Sequence, residues 1–226
     1  MVRIRITFGD RARISYLPVN TNYCLVYLLD SLTKSYSNYL ISLLPKNFKN
    51  RSQFDVFTFS QLLIPEKKIE NLKMAVYSAL FTWYVSSPFY QFLDIITHQL
   101  RKQKKVKIAG NEYEIESIEY LRSPAFKNKT SQFSCLSPIS ISNDKRTKLN
   151  GKNTLNKFLL PLHRDYIRRV TAPLLINAQP DILNLIYETG VEEYNRFEFG
   201  MTKKVKNSYI KNTKNLKINS STRPHL

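Results

Sequence analysis

The sequence predicts an α+β fold of tandem ferredoxin-like units, the second one reduced. Three observations carry this. The first half alternates strand, helix, strand, strand, helix, strand, the order of a split β-α-β unit. The second half shows only strand, helix, helix, strand. At 226 residues and 42% hydrophobic content, the chain can bury one large core or two small ones.

The elements follow from local patterning. In "VRIRITF", Val2, Ile4, Ile6 and Phe8 point one way, and Arg3, Arg5 and Thr7 the other. That predicts a half-buried strand with a basic outer face. Helix-start signals stand at Pro18 to Asn22. Leu25, Leu28, Leu29, Leu32, Tyr36, Tyr39, Leu40 and Leu43 then recur at three- and four-residue steps, an amphipathic helix ending near Pro45. "FDVFTFSQLLI" is rich in aromatic and β-branched residues and predicts a strand. "MAVYSALFTWYV" predicts another, with a helix as the alternative. In "SSPFYQFLDIITHQLRKQ", Ser87 caps a helix and Pro88 takes its first position. "EYEIESIEYL" predicts a strand after a turn at Gly110–Asn111.

The second half opens with a strand at "FSCLSPISIS". A polar linker, "NDKRTKLNGKN", leads to a helix within "LNKFLLPLHRDYIRRV". "PDILNLIYETG" predicts a helix from Pro180 to a stop at Gly190. About ten residues separate these two helices, too few for a hairpin. "RFEFGMTKKVK" predicts a final strand. The expected boundaries are 1–124, 125–206 and a basic, flexible tail, 207–226.

Charge narrows the partner. Thirty-five Lys and Arg against 17 Asp and Glu give a formal +18. Such an excess points to a polyanion, most often nucleic acid; the alternative is plain solubility charge in a lysine-rich proteome. Cys24 and Cys135 belong to no CxxC or Cys/His cluster, so no metal site is readable and no cofactor is expected. The charged N-terminus has no signal-peptide core, and no apolar run reaches membrane length. A cytoplasmic protein without a membrane partner is expected.

Several motifs, in order, resemble the CRISPR repeat-processing endoribonucleases, the sixth CRISPR-associated protein family of the RAMP superfamily. They are "MVRIRITF", "LPVNTNYCLVYLLDSL", "FDVFTFSQL", "LSPISIS", "KFLLPLHRDYIRRV" and "GVEEYNRFEFGM", the last similar to the family's glycine-rich loop. The match spans most of residues 1–206. The resemblance implies tandem RRM-like domains that bind CRISPR repeat RNA in a prokaryotic cytoplasm. It also implies cleavage without a metal: a 2′-OH attacks its neighbouring phosphate and leaves a 2′,3′-cyclic phosphate. That reaction needs a base, an acid and a cation at the phosphorane. Subunits of a CRISPR effector complex or a second copy of the chain are further partners the resemblance implies.

The chain departs from the family in three places. The histidine expected near the end of the first helix aligns with Ile41, and the only histidines are His98, His163 and His225. For His98 an ion pair with Asp94, one turn earlier, is expected. Without the histidine, Tyr27, Lys34, Tyr39 and Lys46 become the catalytic candidates, with Tyr36 beside them. The alternative is core packing for the tyrosines and solvation for the lysines. The loop keeps Gly190 and Gly200 but fills its middle with Glu192, Glu193, Asn195 and Glu198. The missing hairpin is the third departure. Expected RNA contacts are Arg3, Arg5, Lys49, Arg51, Lys127, Lys129, Arg196, Lys203, Lys204 and Lys206. Two functions remain open, a nuclease maturing CRISPR RNA and a repeat-binding subunit that does not cut.

Overall fold

Apolar alternation drives the first strand to the centre of a sheet. The computed structural model describes residues 3–12, 14–43, 57–71, 73–137, 139–141, 168–170, 173–190 and 201–205. Strand β1 is Arg3–Gly9, with Ile4, Ile6 and Phe8 fully buried. It pairs antiparallel with β6 (Leu80–Ser86) on one side and β8 (Asn111–Leu121) on the other. Strand β3 (Thr58–Phe59) lies outside β6 and β7 (Lys105–Ile108) outside β8, giving the order β3-β6-β1-β8-β7. Its first four strands have the split β-α-β order.

Helices cover one face of this sheet. Between β1 and β3 run α1 (Asn22–Thr33), a 3-10 turn (Lys34–Tyr36) and α2 (Ser37–Leu43). Between β6 and β7 runs α3 (Tyr90–Gln103). The leucines of α1 meet Phe92, Leu93, Ile96 and Leu100 of α3 over Ile4, Ile6, Phe8, Trp83 and Val85, as one core. Each such side chain contributes about 1.5–3 kcal/mol by leaving water. The Phe57 and Phe92 rings stack at 5.0 Å, and Trp83 Nε1 donates to the Ser60 carbonyl at 3.0 Å.

Several boundaries differ from expectation. Helix α3 begins two residues beyond Pro88, because Phe89 stays extended and packs against the core. Ser87 Oγ still accepts from the Phe89 N–H, at 3.1 Å. "MAVYSALFTWYV" forms two strands: β5 (Lys73–Val76) and β6. Strand β5 pairs with β2 (Ser15–Pro18) and β4 (Lys67–Glu70) in a small second sheet. The lysine-rich segment after α3 is the unforeseen strand β7. Its turn to β8 is Ala109–Gly110, one residue earlier than expected, with φ of +50° and +85°. Two left-handed residues in a two-residue loop match the twist of a hairpin.

The C-terminal half holds β9 (Thr130–Cys135), β10 (Ile139–Ile141), β11 (Arg168–Val170), β12 (Leu174–Asn177), α4 (Pro180–Thr189) and β13 (Thr202–Lys204). A three-stranded antiparallel sheet has the order β12-β9-β13, and β10 pairs with β11. This corrects the expected gap: residues 168–177 hold two strands, which pair with β10 and β9 rather than with each other. It also ends the expected helix before Arg168; the rest of that helix and residues 206–226 lie outside the described residues. Helix α4 begins at Pro180 and stops at Gly190 (φ +85°), whose N–H reaches the Ile186 carbonyl. Leu183 and Tyr187 pack on Phe126 and Phe133.

Candidate nucleic-acid interface

The basic outer face expected of β1 is neutralised, and Arg3 must be reassigned. Arg3 is 1% exposed. Its Nη1 donates to the Thr202 carbonyl at 2.8 Å and its Nη2 to the Tyr187 carbonyl at 2.6 Å. Burial pulls its pKa down to about 10, against the fields of Tyr187 and Tyr84. It therefore joins the two halves of the chain and is closed to RNA. Arg5 is held by both oxygens of Glu119, at 2.7 and 2.6 Å, and this hydrogen-bonded pairing raises its pKa.

The same face carries Arg11 on Glu114 at 2.6 Å and Lys105 on Glu112 at 2.8 Å. The carboxylates come from β8. Their signal was in the sequence, where glutamates alternate in "NEYEIESIEYL". Glu116 is set apart by an irregularity in register between Thr7 and Phe8, and it covers Gly9. A Cβ on Gly9 would come within 2.3 Å of Glu116 Oε1.

Three of the first-helix candidates, Tyr27, Lys34 and Tyr39, are accessible. Tyr27 is 76% exposed and lines a cleft of about 520 Å3 with Ser31, Gln103, Lys105 and Lys107. Lys34 is exposed where α1 passes into the 3-10 turn, and Tyr39 and Ile41 are exposed on α2. Tyr27 and Lys34 are seven residues apart, roughly 10 Å along a helix axis. Lys34 opens the 3-10 turn, and Tyr39 follows that turn in α2. Tyr36 is half-buried, its hydroxyl accepting from Gln99 Nε2 at 3.2 Å. Lys46, Lys49 and Arg51 lie outside the described residues, as do His163 and His225.

His98 is exposed on α3, but its expected partner is engaged elsewhere. Asp94 Oδ1 accepts from the Tyr120 hydroxyl at 2.7 Å. Among the described residues no group of three His, Cys, Asp or Glu is arranged to hold a metal.

The C-terminal cations divide. Lys127, Lys129 and Lys203 are exposed around β9 and β13. Lys204 is restrained: its Nζ donates to the Ala125 carbonyl at 2.6 Å and lies 4.5 Å from the Phe126 ring centroid. Arg196 and Lys206 fall outside the described residues. The two carbonyls that Arg3 holds, those of Tyr187 and Thr202, bracket the segment that resembles the glycine-rich loop. No helix among the described residues is long and apolar enough to cross a membrane.

No family model matches the chain, and no curated protein matches it in sequence. Solved structures do match in fold. One, described as the product of a Cas6-related gene from Pyrococcus furiosus, is 21% identical with a TM-score of 0.70, covering 91% of this chain and 99% of its own. A RAMP protein described as binding different RNA substrates is 20% identical with a TM-score of 0.70, covering 91% of this chain and 100% of its own. A CRISPR-associated Cas6 protein is 19% identical with a TM-score of 0.63, covering 91% and 99%. In its mixed helices and antiparallel sheets, the chain has the fold of the Cas6 and RAMP proteins, as its ordered motifs implied.

Proposed function

We propose that the protein binds CRISPR repeat RNA and cleaves precursor CRISPR RNA by a metal-independent 2′-OH attack. One observation carries this reading: the fold likeness runs through 91% of the chain and nearly the whole of each neighbour, one of them described as an RNA-binding RAMP protein. The ordered sequence motifs point the same way. We read the two sheet systems as tandem ferredoxin-like units, 1–124 and 125–206, followed by a basic tail, 207–226. In this reading β9, β12 and β13 repeat the places of β1, β6 and β8.

A base takes the 2′-OH proton, O2′ bonds to phosphorus, and the bond to O5′ breaks. The leaving O5′ takes a proton, leaving a 2′,3′-cyclic phosphate and a 5′-OH. We assign Lys34 to the charge on the phosphorane and Tyr39 to proton transfer, with Lys46 as a further cation. Lys127, Lys129 and Lys203 serve as phosphate contacts, and affinity falls with salt as counterions are released.

A second reading has its own observation. Ile41 occupies the place of the expected histidine, and His98, the described histidine, stands on another helix. The chain would then be a repeat-binding subunit of a CRISPR ribonucleoprotein. Incubation with the repeat RNA of its own locus in EDTA decides between them. A single cut ending in a cyclic phosphate supports the nuclease; tight binding without a cut supports the subunit; neither refutes both.

A further inference from the structure

Strand β7 is one of the two edge strands of the five-stranded sheet. Val106 and Ile108 turn inward and are buried, while Lys105 and Lys107 are exposed. Lysines on an edge strand are by themselves a guard against unwanted pairing. Here the edge also has a cleft and an exposed ring at each end. At the first end is the Tyr27 cleft, which reaches Lys105 and Lys107. At the other end, by the Ala109–Gly110 turn, a cleft of about 420 Å3 is lined by Tyr16, Pro18, Asn71, Lys73 and Ala109. Tyr16 is 53% exposed. Asn111 Nδ2 donates to the Tyr16 carbonyl at 2.8 Å, which ties β2 to the hairpin and holds the two clefts in fixed relation.

Residues 105 to 109 span roughly 13 Å in an extended chain. Along this edge run a ring, two cations with the Glu112 carboxylate beside them, a second ring and a further cation. Lys105 is shared with Glu112, while Lys73 and Lys107 make no salt bridge among the described residues. Flat rings that stack bases, interleaved with cations that meet phosphates, are what sequence-tolerant binding of a single strand requires. We infer that the β7 edge, from Tyr27 to Tyr16 and Lys73, is a second track for single-stranded RNA, separate from the Lys34–Tyr39 turn. It rests on the RNA-binding reading above and deepens it: the unpaired part of the substrate is held here while the cut is made elsewhere. In this assignment Tyr27 is a stacking residue rather than a proton-transfer group.

The test uses the full chain, a labelled uridine decamer and the repeat RNA, with binding followed by fluorescence anisotropy. The expected result for K73E/K107E is about a tenfold loss of decamer affinity, with the salt slope shallower by roughly 1.4, at about 0.7 per phosphate contact. Tyr27→Ala should lose at least about fivefold in decamer affinity, and Tyr27→Phe should keep that affinity, because stacking needs the ring and not the hydroxyl. All these side chains are exposed, so the variants should melt with the wild type. Wild-type affinity in both K73E/K107E and Y16A/Y27A, with repeat RNA still bound, overturns the track alone. Loss of cleavage in Tyr27→Phe with binding intact returns Tyr27 to catalysis and overturns its role here. A wild-type chain that binds neither RNA overturns the RNA reading and the track together. Loss of an acidic peptide's binding with RNA affinity unchanged assigns the edge to a protein and also overturns the proposal.

Discussion

The guanidinium of Arg3 lies 3.9 Å from the centroid of the Tyr187 ring and donates to the carbonyl of that same residue. A cation from the first strand is thus enclosed by the last described helix. Its second bond, to Thr202, ties β13 to the same point. One side chain of the first strand thus binds both α4 and β13, 184 and 199 positions away.

Replacing Arg3 should therefore destabilise the whole chain. Arg3→Met leaves two buried carbonyls without their donor and should cost about 2–4 kcal/mol in urea unfolding. Arg3→Lys should recover only part, since an ammonium lacks the planar fork that reaches both carbonyls. With a folded pKa near 10, the group is protonated in both states through neutral pH and adds no slope there. Above pH 10 the unfolded chain holds that proton more tightly, so this group's contribution rises with pH. An Arg3→Met variant as stable as the wild type would remove the link between the halves.

Glu188 supplies a pH dependence of the opposite kind. Burial beside the same junction raises its pKa. The folded state favours the neutral acid, so its contribution is full below the ordinary carboxylate pKa and is lost as pH rises through the folded value. Glu188→Gln should then gain stability relative to wild type as pH rises above the ordinary carboxylate range, read as a widening difference in Tm. A difference that stays constant over that rise refutes the assignment.

Single-turnover cleavage tests the turn between α1 and α2. Lys34→Ala and Tyr39→Phe should each slow cutting by about 100-fold, with repeat affinity changed little. Equal losses in rate and affinity would make them binding residues. No effect from either would send the search to Lys46 and its neighbours.

Gly9 is required for space and not for a special backbone angle. Gly9→Ala should cost about 1 kcal/mol, because the added carbon meets both the end of Glu116 and its Cγ, at 2.3 and 3.0 Å. Adding Glu116→Ala should return most of that loss, a coupling that a double-mutant cycle measures directly.

Much of the architecture could be read from the sequence because its causes are local. Alternation placed Ile4, Ile6 and Phe8 in the core, three- and four-residue spacing placed the leucines of α1, and Pro180 with Gly190 bounded α4. Among the strands that went unread, all four residues of β4 are exposed; β7 does alternate exposed and buried residues but is only four residues long, and β11 and β12 pair with the distant β10 and β9. Which cations stay open to solvent was the least legible part. Arg3 and Arg5 look alike in "RIRITF", yet one is enclosed by residues 184 and 199 positions away and the other is neutralised 114 positions away. By itself the sequence determined the helix faces, the first sheet's core and the excess of positive charge. Only the tertiary structure decided which charges remain available to a phosphate, because a charge is a property of one residue, while its neutralisation depends on which distant strand folds beside it.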